Sequence, residues 1–196
     1  MWIYGNGGHA KVVRWIMQYG HLETGIDIVP LHVIDDADPA LSWQSEYQHE
    51  FGVIAIGNNR TRQDIATRLD HHKFVRLWSE HSSLATMFAI CDGTVIMPQA
   101  AVNVGAMIGR HAIVNTGATV DHDCTVASFA HIAPGAHLCG GVKIGEGTLV
   151  GAGTVVVPGI AIGPWLTIPA GSVVTKDIPD EAALALLRGR RNQGGE

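Results

Sequence analysis

From Ile90 onward an aliphatic residue recurs at every sixth position, through Ile96, Val102, Ile108, Val114 and Val120 to Ile168 and Val174. Fifteen such positions follow one another without an insertion, and every one is Val, Ile or Leu. The residue four places on is mostly small, with Ala100, Ala106, Ala112, Ala118, Cys124, Ala130 and Ala136 as the clearest run. A helix needs a period near 3.6 and a half-buried strand a period of 2, so neither organises this segment. Six is the repeat of a parallel β-helix: each hexapeptide makes one short strand and a turn, and three close a triangular coil of about eighteen residues. The aliphatic side chain points to the prism axis and the small one packs beside it. Fifteen hexapeptides make about five coils, enough to bury a continuous apolar column.

Composition agrees with short strands and tight turns. Hydrophobic residues reach 46% but aromatics only 6%, so the apolar content is mainly aliphatic, and there are 24 glycines. A net charge of −5 with 16% charged residues lacks the basic footprint of a nucleic-acid binder. No run approaches the ~20 apolar residues of a membrane span, and the start, "MWIYGNGGHAK", has neither region of a signal peptide. Cys91, Cys124 and Cys139 make neither a disulfide framework nor a C-x-x-C site. Cys124 holds the small inward position of its hexapeptide, which reads as a buried, inert thiol. The expectation is a cytoplasmic chain in three parts: an α/β unit over 1–80, the β-helix over 81–179, and a short helix with a polar tail over 180–196.

In the first part, Trp2 to Tyr4 reads as a strand, followed by a Gly-rich turn and a helix from about His9 to Tyr19. In that helix Val12, Val13, Ile16 and Met17 recur at helical spacing. "IVPLHVIDD" reads as a second strand and "EFGVIAIGNN" as a third, with a helix over "RTRQDIATRL" and a short fourth strand in "KFVRLW". Strands alternating with helices form a small parallel sheet whose ligands lie at the carboxyl ends of the strands. Three features stand there: Gly5-x-Gly7-x-x-Ala10, Asp35-Asp36 and Gly57-Asn58-Asn59. Such glycines let a backbone approach a phosphate, and an acidic residue after the second strand bonds a ribose hydroxyl. The unit is half the size of a dinucleotide fold, so one nucleotide-linked sugar suits it better than NAD. The bland alternative is that the glycines only make a tight turn.

The β-helix also carries His122, His131 and His137 within the twenty-one residues from Val120 to Gly140. Metal ligation, proton transfer and surface decoration are all open on residue type alone. His122 stands two residues beyond the inward Val120 and therefore projects away from the axis, with Asp123 beside it as a carboxylate able to orient the ring. His131 lies half a coil further on and faces a different side of the prism. His137 and His111 fit ordinary exposed positions.

The second half resembles the hexapeptide-repeat acyltransferases, whose β-helix is left-handed and which are normally homotrimers. Taken with "IYGNGGHAKVV", "VIDD", "AIGNN-RTR" and "DHDC-TVASFAHIAPGAHLCGGVKIGEGTLVGAGTVV", the chain is similar to sugar O- and N-acetyltransferases of the sialic-acid O-acetyltransferase (NeuD) type. That family includes the bacillosamine-type, PglD-like enzymes that acetylate the 4-amino group of a nucleotide-linked 4-amino-6-deoxy sugar. The resemblance implies an N-acetyltransferase that uses acetyl-CoA and no metal, with Gly7, Gly8, His9, Asp35, Asp36 and Gly57 lining the nucleotide-sugar pocket. It implies His122 as general base, Asp123 as its acidic partner (often Glu in the family), and His131 as an acetyl-CoA contact near the thioester. In a trimer, His131 of one chain could face His122 of the next. Gly151 and Ala152 match the cofactor-contact region.

The alternatives are O-acetylation of a sialic-acid-type sugar, a silent nucleotide-sugar-binding trimer, and a β-helix metalloenzyme. Against the last, γ-type carbonic anhydrases pair two histidines five residues apart, whereas the gaps here are nine and six. The tail "DEAALALLRGRRNQGGE" departs from the G-x-P-A-[KR] ending common in the family.

Overall fold

A computed structural model describes residues 1–19, 21–22, 32–42, 47, 50–179 and 181. The chain opens with strand β1 (Trp2–Tyr4), helix α1 (Gly8–Tyr19) and a short strand β2 (His21–Leu22). Strands β3 (His32–Ile34) and β4 (Phe51–Ile54), helix α2 (Asn59–Arg68) and strand β5 (Lys73–Phe74) follow. The order β3-β1-β4-β5 is parallel throughout. Alternation along β1 sends Ile3 to one face with α1 and Trp2 and Tyr4 to the other with α2. Gly52 on β4 is glycine because the Trp2 indole lies where a Cβ would stand.

The stripe that α1 buries is Ala10, Val13, Ile16 and Met17, each 0% exposed. Val12, expected on this stripe, faces solvent at 37%, because the buried face runs i, i+3, i+6 and i+7 from Ala10. The same cluster takes in Leu77, Val95 and Met97 from the prism, so α1 is gripped between its sheet and the β-helix.

The expected fourth strand divides in two. Val75 N still donates to Gly52 O in the α/β sheet (3.0 Å), whereas Leu77 N donates to Thr94 O in the prism (3.0 Å). Strand β6 (Leu77–Trp78) therefore belongs to the β-helix and pairs with Val95–Ile96. Changing partner within three residues leaves no slack between the units.

From β6 the two-residue strands climb in three parallel sheets that form the sides of a prism; the sheets contain seven, six and five strands, the first including β2 as an antiparallel edge. Every sixth residue from Ile96 to Val174 is buried on the axis, at 3% exposure or less. The row begins earlier than the sequence period does, since Trp78 and Leu84 already pack against this column. Polar residues in the small inward row are satisfied: the hydroxyls of Thr94, Thr148 and Thr154 donate to carbonyls fifteen residues on, at 2.8, 2.6 and 3.0 Å. Cys124 is likewise 0% exposed, with Sγ against Cys139 O at 3.1 Å.

The turns repeat as strictly as the strands. Fourteen corners, at every sixth residue from Gly93 to Gly171, have positive φ; nine are glycine and five are Gln99, His111, Asp123, Phe129 and Trp165. A side chain in the left-handed region costs about 1–2 kcal/mol. Each of those five corners therefore holds a side chain against a local penalty.

Arg62 on α2 joins the two units. It is 1% exposed and bonds the prism through His111 O (2.8 Å) and Phe129 O (2.7 Å). Its other partners are Ile56 O, Gly57 O and Asn59 Oδ1, at 2.8, 3.2 and 2.8 Å. Burial lowers its pKa to about 9, which leaves it charged at neutral pH, balanced by oxygen dipoles. His111, expected to be exposed, is instead buried at 1% between Phe74 and Phe129. Its corner is one of those that the α/β unit covers.

Among the described residues no helix is long and apolar enough to cross a membrane. The expected helix and tail over 180–196 lie outside the described residues except for Glu181.

Candidate active site

The glycines at the carboxyl ends of the sheet separate into two kinds. Gly5 has φ +114°, and a Cβ there would meet Ala55 O at 3.0 Å, so it is needed for the turn itself. Gly7, Gly8 and Gly57 have no left-handed φ and nothing within 4 Å of a built Cβ. The fold does not require glycine at those three positions. They leave open space above the strand ends, as close approach of a ligand to backbone needs.

Asp35 holds its loop by accepting from Ala37 N at 3.0 Å. Asp36 bonds the Tyr4 hydroxyl and pairs with Arg68 Nη2 at 2.8 Å. These bonds, Tyr4's first, lower the Asp36 pKa. Burial, followed by the bond to Asp36, pushes Tyr4 up to about 12.

His131 stands on the prism face nearest the α/β unit. Its Nε2 faces Asn115 Nδ2 at 2.9 Å, and it also bonds the Gly57 backbone. An amide NH₂ only donates and a carbonyl only accepts, so Nε2 is the acceptor and the ring is neutral. Burial first, then the charge of Arg62 and His9, hold its pKa down to about 3. His9, 6.4 Å away between ring centroids, is lowered to about 4 by burial and Arg62. Its Nε2 is buried with no hydrogen-bond partner. The structure therefore joins His9, Gly57 and His131 within one chain.

His122 occupies a corner on another side of the prism. Its Nδ1 lies 2.9 Å from Asp123 Oδ2. The carboxylate can only accept, so the proton sits on Nδ1 and Nε2 is left with its lone pair. Asp121 holds the local backbone: its Oδ1 accepts from His122 N (2.8 Å) and from Asn103 Nδ2 (3.0 Å). The bond to Asp123, then the charge of Asp121, raise the imidazole pKa. Both members are solvent-accessible, with side chains 56% and 73% exposed.

Each member of the pair lies over a glycine on an adjacent coil. A Cβ on Gly105 would meet Asp123 Oδ1, and one on Gly140 would sit 2.5 Å from His122 Nε2. Gly105 already needs its glycine for φ +73°, whereas Gly140 is absent from the positive-φ corners and has no backbone reason to be glycine. At the equivalent place one and two coils below, His122 N and Val104 N are capped by the Asp121 and Asn103 side chains. Gly140 follows Cys139, and among the described residues its N–H has no acceptor. Sequence reading missed Gly140; the signal was a glycine eighteen residues after His122, one coil up.

The remaining candidates differ in exposure. Gly151 is buried, and a Cβ there would meet Ala170 N and Ile168 O at 2.5 Å, so coil stacking accounts for its glycine; Ala152 is exposed. His137 is exposed, with Nδ1 2.9 Å from Thr119 Oγ1. It borders a groove of about 520 Å³ floored by small residues such as Ser83, Ala101 and Thr119 and reaching Asp121. Among the described residues no three His, Cys, Asp or Glu side chains converge as metal ligands.

Residues 1–69 match the PglD N-terminal domain family, and residues 123–158 and 141–176 match the bacterial transferase hexapeptide family. The acetyltransferase domain of PglB from Neisseria gonorrhoeae is 31% identical, with a TM-score of 0.81 over 91% of this chain and 92% of that one. PerB from Caulobacter crescentus, solved with CoA and GDP-perosamine, is 32% identical, with a TM-score of 0.81 over 91% and 90% of the two chains. WeeI from Acinetobacter baumannii shares the fold at 21% identity, with a TM-score of 0.63 over 91% and 92%. A prism of hexapeptide coils fused to a parallel α/β unit, with these matches, defines a hexapeptide-repeat acyltransferase. The chain belongs to the sugar N-acetyltransferases of this class that carry a PglD-type N-terminal domain.

Proposed function

We propose that the protein transfers acetyl from acetyl-CoA directly to the amine of a nucleotide-linked 4-amino-4,6-dideoxy sugar. The observation that carries this reading is the His122–Asp123 pair, with Nδ1 tied down at 2.9 Å and Nε2 directed at Gly140, where a side chain would meet it. The α/β unit takes the nucleotide sugar at Gly7, Gly8, His9, Asp35, Asp36 and Gly57. The prism takes acetyl-CoA, with His131, Gly151 and Ala152 along its path. Two of the relatives support the pairing of substrates: PglB's domain was solved with acetyl coenzyme A, and PerB with CoA and GDP-perosamine.

In the reaction the sugar amine forms the C–N bond to the thioester carbon while His122 Nε2 takes its proton. The Gly140 N–H stabilises the charge that collects on the carbonyl oxygen. Collapse breaks the C–S bond, and the imidazolium returns its proton to the departing CoA sulfur. Asp123 stabilises the imidazolium between the two steps. His131, neutral with its Nε2 accepting from Asn115, orients rather than transfers protons. The exposed apolar side chains Met87, Val104 and Met107 (72%, 45% and 54%) share the corner and side of the prism nearest His122. They support a homotrimer whose inter-chain grooves contain the pair.

The test is a screen of UDP-, GDP- and TDP-linked amino sugars with acetyl-CoA, reading free thiol. Turnover with one amino sugar and none with its hydroxyl analogue is expected. Release of thiol only with hydroxyl acceptors would replace N- by O-transfer.

A further inference from the structure

Trp165 is one of the five corners with positive φ that is not glycine, at φ 58°. A bulky aromatic in the left-handed region is held against a steric penalty. Its indole lies against Gly147, where a Cβ would overlap the ring. The Arg60 guanidinium carbon sits 3.4 Å from the ring centroid. Stacking at that distance holds the planar fork flat and removes much of the freedom an exposed arginine would otherwise have.

Among the described residues no acceptor bonds the Arg60 N–H groups. Glu146, on the coil corner beside Gly147, is already engaged by Gln63 Nε2 at 3.0 Å. Arg60 also borders a cavity of about 190 Å³ that includes Gly57, Leu149 and Thr167. That cavity continues the outward row of His131, whose strand pairs His131 with Leu149 and Leu149 with Thr167. An immobilised cation with unused donors thus stands between the open strand end at Gly57 and the upper face of the prism.

We infer that Arg60, held by Trp165, is a phosphate-binding residue of this pocket. A planar guanidinium matches two phosphate oxygens at once, and an arginine that is already ordered loses little entropy on binding. The inference rests on the proposed acetyl transfer, in which both substrates carry phosphates. The Gly57 side of the cavity suits the diphosphate of the nucleotide sugar. The Leu149–Thr167 side suits the phosphates of CoA.

Calorimetric titration of the whole chain with CoA, dephospho-CoA, UDP, GDP and TDP separates the sources. Arg60→Ala is expected to weaken one group of ligands roughly ten- to hundred-fold, to leave the other within about two-fold, and to reduce competition by inorganic pyrophosphate. Selective loss for the nucleoside diphosphates assigns Arg60 to the sugar substrate. Selective loss for both forms of CoA assigns it to the donor pyrophosphate, and loss for CoA alone to its 3′-phosphate. Trp165→Gly installs the residue that nine of the fourteen corners use, so the fold should persist while the same ligand weakens. Arg60→Lys should restore only part of the affinity. Unchanged binding of every probe in Arg60→Ala overturns the inference and leaves the proposed function standing. Failure of the wild-type protein to bind any of these probes overturns both.

Discussion

Asp123 adopts φ 58° at a corner where most of its counterparts along the prism are glycine. That conformation directs its carboxylate to His122 Nδ1 and rests it over Gly105. Because the bond to Asp123 raises the His122 pKa, the neutral base accumulates only above the ordinary histidine value near 6.5. The acid limb of kcat/KM should therefore lie above pH 6.5. Asp123→Asn keeps the shape and tolerates the left-handed backbone, but it removes the charge that favours imidazolium. The limb should move to lower pH and the plateau should fall, by less than the loss in His122→Ala. A pH–rate profile checks this, and an unmoved limb with an unchanged plateau would disconnect Asp123 from the base.

At the scale of elements, the turn between β1 and α1 allows a clean probe. Gly8 has ordinary φ and open space around a built Cβ, so Gly8→Val should fold normally. A β-carbon there intrudes where the nucleotide approaches, so KM for the sugar should rise at least ten-fold while that for acetyl-CoA stays put. Equal rises for both substrates would show misfolding or an exchanged assignment of the units. Arg62→Met tests the joint between α2 and the prism. Losing bonds to His111 O and Phe129 O leaves one buried and one partly buried carbonyl unpaired, the buried one at about 1–3 kcal/mol. A drop in Tm of several degrees is expected by thermal denaturation, and an unchanged Tm would remove Arg62 from that role.

The sequence period made the prism legible because axial packing forces an aliphatic residue at every inward site. Glycine spacing located the strand ends, but Gly5, needed for the turn, could not be told from Gly7 and Gly8 without knowing that Ala55 crosses close to Gly5. His111 and the strand in "KFVRLW" depart from expectation where the α/β unit meets the prism: a repeat taken in isolation shows an exposed corner at His111, and a continuous strand pattern does not report that the chain changes sheets between Val75 and Leu77. Gly140 and Trp165 act across adjacent coils, on His122 and Arg60, and no local pattern reports such neighbours.

For the whole molecule, the apolar corner formed by Met87, Val104 and Met107 beside His122 leads to the expectation of a homotrimer. Sedimentation at assay concentrations should give about three times the mass of 20.9 kDa. Replacing Met107 with Glu should dissociate the assembly and abolish turnover together. A stable monomer with full activity would place the whole site within one chain.

The most direct test of the central claim is His122→Ala, measured in single turnover with saturating acetyl-CoA and the amino sugar identified by the screen. Because the lost interaction acts on a proton in transfer, the acetyl-transfer rate should fall ~10²- to 10⁴-fold. The dissociation constants of both substrates should change by less than about two-fold. A transfer rate near that of the wild type would contradict the assignment of His122 as the base.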